Sequence, residues 1–503
     1  MKKARVWCFI MALFLLGTVV GCGRPQESKK DGKVELKWVY LGTTGQKDTQ
    51  LVWDYFNERL RDYLPDTSVD FEVIDASDYA EKWKLKAAAR EKIDIAWTGY
   101  TNIYTDEIAN GSYMELDALL DEYGQELKAE LPDWVWTKAK VNGKIYSVPN
   151  YQMMNAMRPG LYIDDDVVKQ CLTDEMAQKM KETNYAHTTI TAEDYALIEE
   201  LLRMSKEKGV LKDGVDPSVA NLGHYKGYEL LLYQSLPFGI RKDDPEMKFV
   251  NIYEEDSIKL TYATMRDWYE KGYINKGIAS ATSQSLDVIL GLSSYYDIEI
   301  PSPNPEKTPD LSIPYEKDFY ISASQSSTST VIPTTSENPE RAMQLINLMN
   351  IPKGAELLNI ISYGIEGTHY EKVSDNIIDV SMAYEGDQAR YSANAWVFGN
   401  IFNAYETNSG APGWNDYLKN DVNKNATVSP IVGFKPDLSS ITSEVSQVLA
   451  VQSEYELQLK QGILANWKER YEEMLEKMRT AGSERIIKEI QRQIDQYRKD
   501  NGI

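Results

Sequence analysis

The chain has 503 residues, room for two or three domains of about 150 residues each. Apolar residues make up 42% and charged residues 26%, a globular balance that argues against a disordered chain. Seventy-seven acidic residues against 55 basic ones give a formal net charge of -22, and so acidic a surface repels phosphate backbones, which sets nucleic acid aside as a partner.

Three cysteines (Cys8, Cys22, Cys171) and three histidines (His187, His224, His369) are too few and too scattered for a disulfide framework or a zinc site, so no cofactor or metal is expected. Tyrosine (33) and tryptophan (11) outnumber phenylalanine (10), which suits wet interfaces and polar ligands better than dry cores.

Lys2, Lys3 and Arg5 precede the apolar run Val6–Leu16, and the small residue Gly21 precedes Cys22. This is the layout of a signal peptide, with an apolar run too short to span a membrane comfortably. Val19-Val20-Gly21-Cys22 resembles the bacterial lipobox, which implies diacylglycerol on the Cys22 sulfur and Cys22 as the mature N-terminus. Residues 1–21 are then the signal peptide and 22–32 a flexible tether at the outer face of the cell membrane. The alternatives are a plain secretory peptide or an uncleaved anchor.

The globular part opens with a strand on Val34, Leu36, Trp38 and Tyr40, then a helix with Leu51, Val52, Tyr55, Phe56 and Leu60 on one face. A second strand follows at Val69–Val73, a helix at 78–90 and a short strand at Ile93–Trp97. The β-α-β-α-β succession predicts a parallel, doubly wound sheet, whose ligands bind beyond the carboxyl ends of the strands. Those ends are Leu41–Gly45 and Trp97–Tyr100. Lys140–Tyr151 reads as a hairpin turning on Asn142-Gly143, and mainly helical sequence runs from there to about residue 280. Ser302–Pro314 and Ser322–Thr330 read as loops or crossings. A helix starts at Pro339, and the C-terminus is helical with a break at Ala481-Gly482. Asp164-Asp165-Asp166 lacks the alternating spacing of a calcium loop and reads as an acidic helix N-terminus.

In order along the chain, the lipobox, Asp94-Ile95-Ala96-Trp97, Gly143–Pro149 (GKIYSVP), Tyr363–Tyr370, Trp396–Asn400 and Glu489–Gln493 resemble family 1 of the extracellular solute-binding lipoproteins of bacterial ABC importers. The resemblance is to a Gram-positive, carbohydrate-type subgroup with a C-terminal domain of unknown function. Lys435-Pro436-Asp437, after Gly433-Phe434, fits the subgroup only in part, which leaves the ligand open.

The resemblance implies an α/β, two-lobed fold of the type II periplasmic-binding-protein kind. Crossings near 150, 280 and 322 put 33–150 with 281–322 in the first lobe and 151–280 with 323–440 in the second, before a helical segment at 441–503. The implied protein is a monomer that captures a solute, an oligosaccharide by expectation, by closing on it, and passes it to ABC permease subunits without covalent chemistry. A surface glycoside hydrolase with two cleft carboxylates, or a receptor for a peptide, stands as the alternative.

A sugar calls for flat aromatics under the ring and amide or carboxylate groups at its edge. The candidates are Trp97 and Tyr100 past the third strand, Thr43 and Thr44 past the first, Tyr151 and Gln152 after the first crossing, and Trp396 with Asn400 from the second lobe; Tyr363 and Glu366 are rim candidates. Seven of them have a named structural alternative: core packing for Trp97, Trp396 and Asn400, helix capping for the threonines, and a tight turn between Gly364 and Gly367 for Tyr363 and Glu366.

Overall fold

Strand β1 (Val34–Gly42) is buried without a break from Trp38 to Leu41, as a central parallel strand covered on both faces must be. It pairs in parallel with β2 (Thr67–Asp75) on one side and β3 (Ile95–Thr98) on the other, and helices α1 (Thr49–Leu60) and α2 (Tyr79–Ala88) make the connections. Strand Ser329–Val331 then joins β3 antiparallel, and Val148–Pro149 closes the five-stranded sheet. The computed structural model describes residues 33–99, 104–154, 156–232, 236–280, 286–297, 311–323 and 328–503. Tyr100 and residues 1–32, including Cys22, lie outside them.

The core of this first lobe joins Leu36, Trp38, Phe71, Ile95 and Trp97 to Val331, Ile346, Leu358 and Phe398. A second core gathers around the antiparallel sheet of Pro159–Ile163 between Leu290–Ser294 and Leu311–Pro314, with Leu161, Val215, Trp268 and Ile313. A third unites the hairpin strands Tyr228–Leu230, Phe238–Arg241 and Phe249–Asn251 with helices Thr442–Lys460, Trp467–Thr480 and Ser483–Asn501. The strands at 228–251 lie inside the stretch read as mainly helical.

Three two-residue strands connect the lobes. Ala156–Met157 pairs antiparallel with Tyr320–Ile321, which pairs in parallel with Thr427–Val428. So few ladder bonds make a bendable joint. One buried carboxylate ties it to the second lobe. Glu229 accepts from the Tyr320 hydroxyl at 2.6 Å, Ser322 Oγ at 3.0 Å, the Ala323 amide at 2.6 Å and Ser429 Oγ at 2.8 Å.

The expected lobe boundaries need correction. Leu290–Ser294 and Leu311–Pro314 pair with Pro159–Ile163 in the second lobe, not the first, and Val331, Ile346, Leu358 and Phe398 pack in the first lobe, not the second. The crossing expected near 280 lies instead at Thr427–Val428. Two-residue strands carry no periodicity, so only the flanking Pro- and Ser-rich loops could suggest them. The hairpin is as expected, with Asn142 and Gly143 both at positive φ (51° and 79°), the signature of a primed turn.

The C-terminal helices dock through His224, which lies edge-on to Tyr253 (5.2 Å) and near Glu456. Burial, helped by the charge of Lys460 and opposed by Glu456, pushes its pKa down to about 3. The folded protein thus binds one proton fewer than the unfolded chain between about pH 6.5 and 3. Urea melts are expected to lose up to about 1.4 kcal/mol per pH unit as pH falls through that window, and His224→Gln to flatten that slope.

Candidate functional site

The carboxyl ends of β1 and β3 open onto one edge of the first lobe, and residues 390–398 run across that edge. Gln46 holds this segment from both sides. The Ser392 amide donates to its Oε1 (2.6 Å), and its Nε2 donates to the Ser392 carbonyl (3.0 Å). The Asp48 amide donates to the Arg390 carbonyl at 3.0 Å. The segment then delivers Trp396 onto Trp97, rings 6.5 Å apart at 63°.

Below Trp396 lies a polar lattice. Asn150, fully buried, donates to the Trp396 and Val397 carbonyls at 2.9 Å each and accepts from Thr330 Oγ1 at 3.0 Å. Thr328 Oγ1 donates to the same Trp396 carbonyl (3.0 Å) and accepts from Gln152 Nε2 (2.8 Å). Trp396 and Gln152 are both half-buried, so a flat indole and a carboxamide share one floor. That pairing suits a ring with an apolar face and a hydroxyl edge.

Of the candidates, Trp396 and Gln152 are brought together, with Trp97 beneath them. Trp97 is fully buried, and its carbonyl accepts from the Tyr79 hydroxyl at 2.5 Å, so it supports the floor instead of lining it. Gly99 permits this: a Cβ there would stand 2.6 Å from the Trp97 ring.

The expectation that Trp396 and Asn400 come from the second lobe is corrected: Trp396, on the short 3-10 turn Ala395–Val397, packs on the first-lobe core, and Asn400 caps the next such turn while bonding Asn350 of the same lobe, so the two share no helical face. Asn400 is fully buried, donating to the Asn350 carbonyl and accepting from the Phe402 amide. Tyr151 is buried against Phe402 (5.0 Å, 79°), and burial raises its pKa. Thr44 caps no helix; its amide and hydroxyl both bond Asp75, bracing the loop, while the Thr43 side chain is exposed. The Tyr363 hydroxyl donates to the Tyr405 carbonyl at 2.8 Å, and Glu366 pairs with Lys372 at 3.3 Å, a brace around a tight turn.

Sequence reading missed Asn150 and Thr328, which carry no motif. It also missed a cluster past the first crossing, where Arg158 lies between the rings of Tyr295 (4.6 Å) and Phe319 (4.3 Å) and pairs with Asp297. Tyr296 packs edge-on to the half-buried Trp414 at 5.0 Å and donates to Met153 Sδ, next to Gln152.

Two α/β lobes, three crossing strands and an aromatic floor at the strand ends make up the two-lobed fold of solute-binding proteins. Residues 430–499 match the family model described as Domain of unknown function (DUF3502). The chain is 25% identical over 456 residues to a carbohydrate ABC transporter substrate-binding protein of Streptococcus pneumoniae serotype 4, covering 86% of this chain and 85% of the relative. Its fold is also that of the N-glycan transport solute binding protein (NgtS) from Streptococcus pneumoniae, 21% identical, with a TM-score of 0.74 over 93% of this chain and 100% of that one. Structures of NgtS in complex with Man1GlcNAc and Man5GlcNAc, each 22% identical, give 0.64 and 0.61 over 92% and 93% of this chain and 99% of each of theirs. Among the described residues, no helix is long and apolar enough to cross a membrane.

Asn150 makes a sharp test of the floor. Asn150→Ala removes the donor to the Val397 carbonyl, one of the two donors to the Trp396 carbonyl and the acceptor of Thr330 Oγ1, and is expected to cost about 3 kcal/mol in chemical denaturation. Asn150→Asp, which sets a carboxylate against two carbonyl oxygens, is expected to cost at least as much.

Proposed function

We propose that the protein is the extracellular solute-binding component of an ABC importer, capturing an oligosaccharide between its lobes and presenting it to a membrane permease. The observation that carries this reading is the half-buried Trp396, held over the strand ends beside Gln152 by a fully satisfied lattice. A sugar ring placed on that indole buries its C–H face, while its hydroxyls meet the carboxamide and the Thr328–Gln152 pair. Closure of the second lobe about the three crossing strands then adds contacts that only the closed state makes, which is how ligand binding shifts a two-state hinge. The likeness to the carbohydrate-transporter relative supports the ligand class. The unequal likeness to three structures of the one protein NgtS supports rigid lobes joined by a joint. Capture of this kind makes and breaks no covalent bond.

The anchor belongs to the same reading. Diacylglycerol on Cys22 would tie the lobes to the outer face of the membrane through residues 23–32, within reach of the permease. A thermal-shift screen of oligosaccharides, monosaccharides, amino acids and peptides tests the ligand class. An oligosaccharide is expected to raise Tm through linkage, and a shift with peptides alone would overturn the assignment. Trp396→Ala is expected to weaken oligosaccharide affinity by about 10- to 100-fold, read by calorimetry, with little change in the ligand-free Tm. Cys22→Ser is expected to move the protein from the membrane fraction to the medium.

A further inference from the structure

The DUF3502 segment is built onto the second lobe. Gln491 Oε1 accepts from the Phe249 amide at 2.7 Å, Tyr471 donates to the Tyr253 carbonyl, and Arg479 pairs with Glu254 at 3.2 Å. Its first residues reach the other lobe. The backbone at Gly433 (φ 90°) runs so close to helix Asp133–Ala139 that a Cβ there would stand 2.6 Å from the Thr137 carbonyl. Two residues on, Lys435 Nζ donates to the Lys138 carbonyl at 2.6 Å, closing the carboxyl end of that helix where its dipole favours a cation. The Tyr497 hydroxyl, from the last helix, donates to the Val432 carbonyl at 2.7 Å and steadies the segment from behind.

Lys138 itself is 5% exposed, and its Nζ has no hydrogen-bond partner among the described residues. The charged groups that face it are Lys435, which opposes its charge, and Glu229, which favours it. Glu229 is already saturated by four donors from the crossing strands and their flanks, so it offers field but no bond. Beyond Glu229, its partner Tyr320 lies under Lys242, which pairs with Glu316 at 2.7 Å. A buried amine without a partner is costly when charged, yet it stands where the two lobes meet beside the joint.

We propose that the DUF3502 segment is the stop of the hinge: Gly433 and Lys435, meeting the buried Lys138, hold the first lobe at one angle to the second, and releasing this contact takes up protons from water. The inference concerns the ligand-free protein and does not depend on what the cleft binds. Burial pushes Lys138 down to about 7 and Lys435 down to about 8, from an ordinary 10.5. With the contact open to water both amines return toward the ordinary value, so the separated state binds more protons. The contact is therefore strongest above about pH 10.5 and weakens as pH falls, by up to about tenfold per pH unit for each lysine, until about pH 8 for Lys435 and about pH 7 for Lys138.

Small-angle X-ray scattering on the ligand-free full chain reads the lobe angle directly. Between pH 10 and pH 7 the wild-type radius of gyration is expected to rise, with the ratio of extended to compact arrangements growing at least tenfold. Lys138→Met should shrink the rise to the part Lys435 contributes, complete by about pH 8; should it fail to fold by circular dichroism, Lys435→Met, which also removes the bond to the Lys138 carbonyl, should start from a larger radius and keep only the smaller rise that Lys138 contributes, down to about pH 7. Gly433→Ala, which pushes the backbones apart, should give the larger radius at every pH. A wild-type radius that does not change with pH, or a methionine variant that keeps the wild-type profile, would overturn the proposal.

Discussion

Everything the molecule does at its cleft depends on a joint of three two-residue strands, and that joint depends on one buried carboxylate. Glu229 gathers the middle strand (Tyr320), its flank (Ser322, Ala323) and the residue just past the third (Ser429) into one hydrogen-bonded knot. The ladder alone is too short to fix register, so a charge held by four donors supplies the order that length does not. The strands stay thin enough to bend while their ends remain tied to the second lobe.

The floor at the strand ends uses the opposite solution. There, a long excursion of the first lobe is brought back over the sheet and fixed by side chains that each satisfy several groups: Gln46 for Ser392, Asn150 for Trp396 and Val397, Thr328 between Trp396 and Gln152. A fully bonded buried lattice is rigid, because any displacement leaves an unpaired group in a low dielectric. The half-buried Trp396 is thus preorganised, so the ligand proposed to stack on it would not also have to order the protein.

The first βαβαβ unit was legible from the sequence because its patterns are long: in β1 an alternation from Val34 to Trp38 running into the apolar stretch Trp38–Leu41, and in α1 a 12-residue helical stripe. The lobe boundaries were not, because the crossings are two residues long and the sheets that decide lobe membership pair residues far apart, such as Leu161 with Leu292 and with Ile313. The same distance explains the site. Trp97, Gln152 and Trp396 were visible as residue types at loops, but that Trp97 lies under Trp396 rests on the 298 residues between them folding back. Asn150 and Thr328 have no local mark; only the carbonyls above them give them meaning.

The C-terminal helices complete the frame. They bury Tyr471, Met474, Ile486 and Ile490 against the second lobe, so a segment that looked like an appendage is part of that lobe's core. A crystal structure of the protein with a bound oligosaccharide tests the central claim most directly. The account predicts a sugar ring stacked on the Trp396 indole within hydrogen-bonding reach of Gln152, with the second lobe rotated toward it about the three crossing strands. An oligosaccharide bound away from the strand ends, or bound there with the lobes at an unchanged angle, would contradict it.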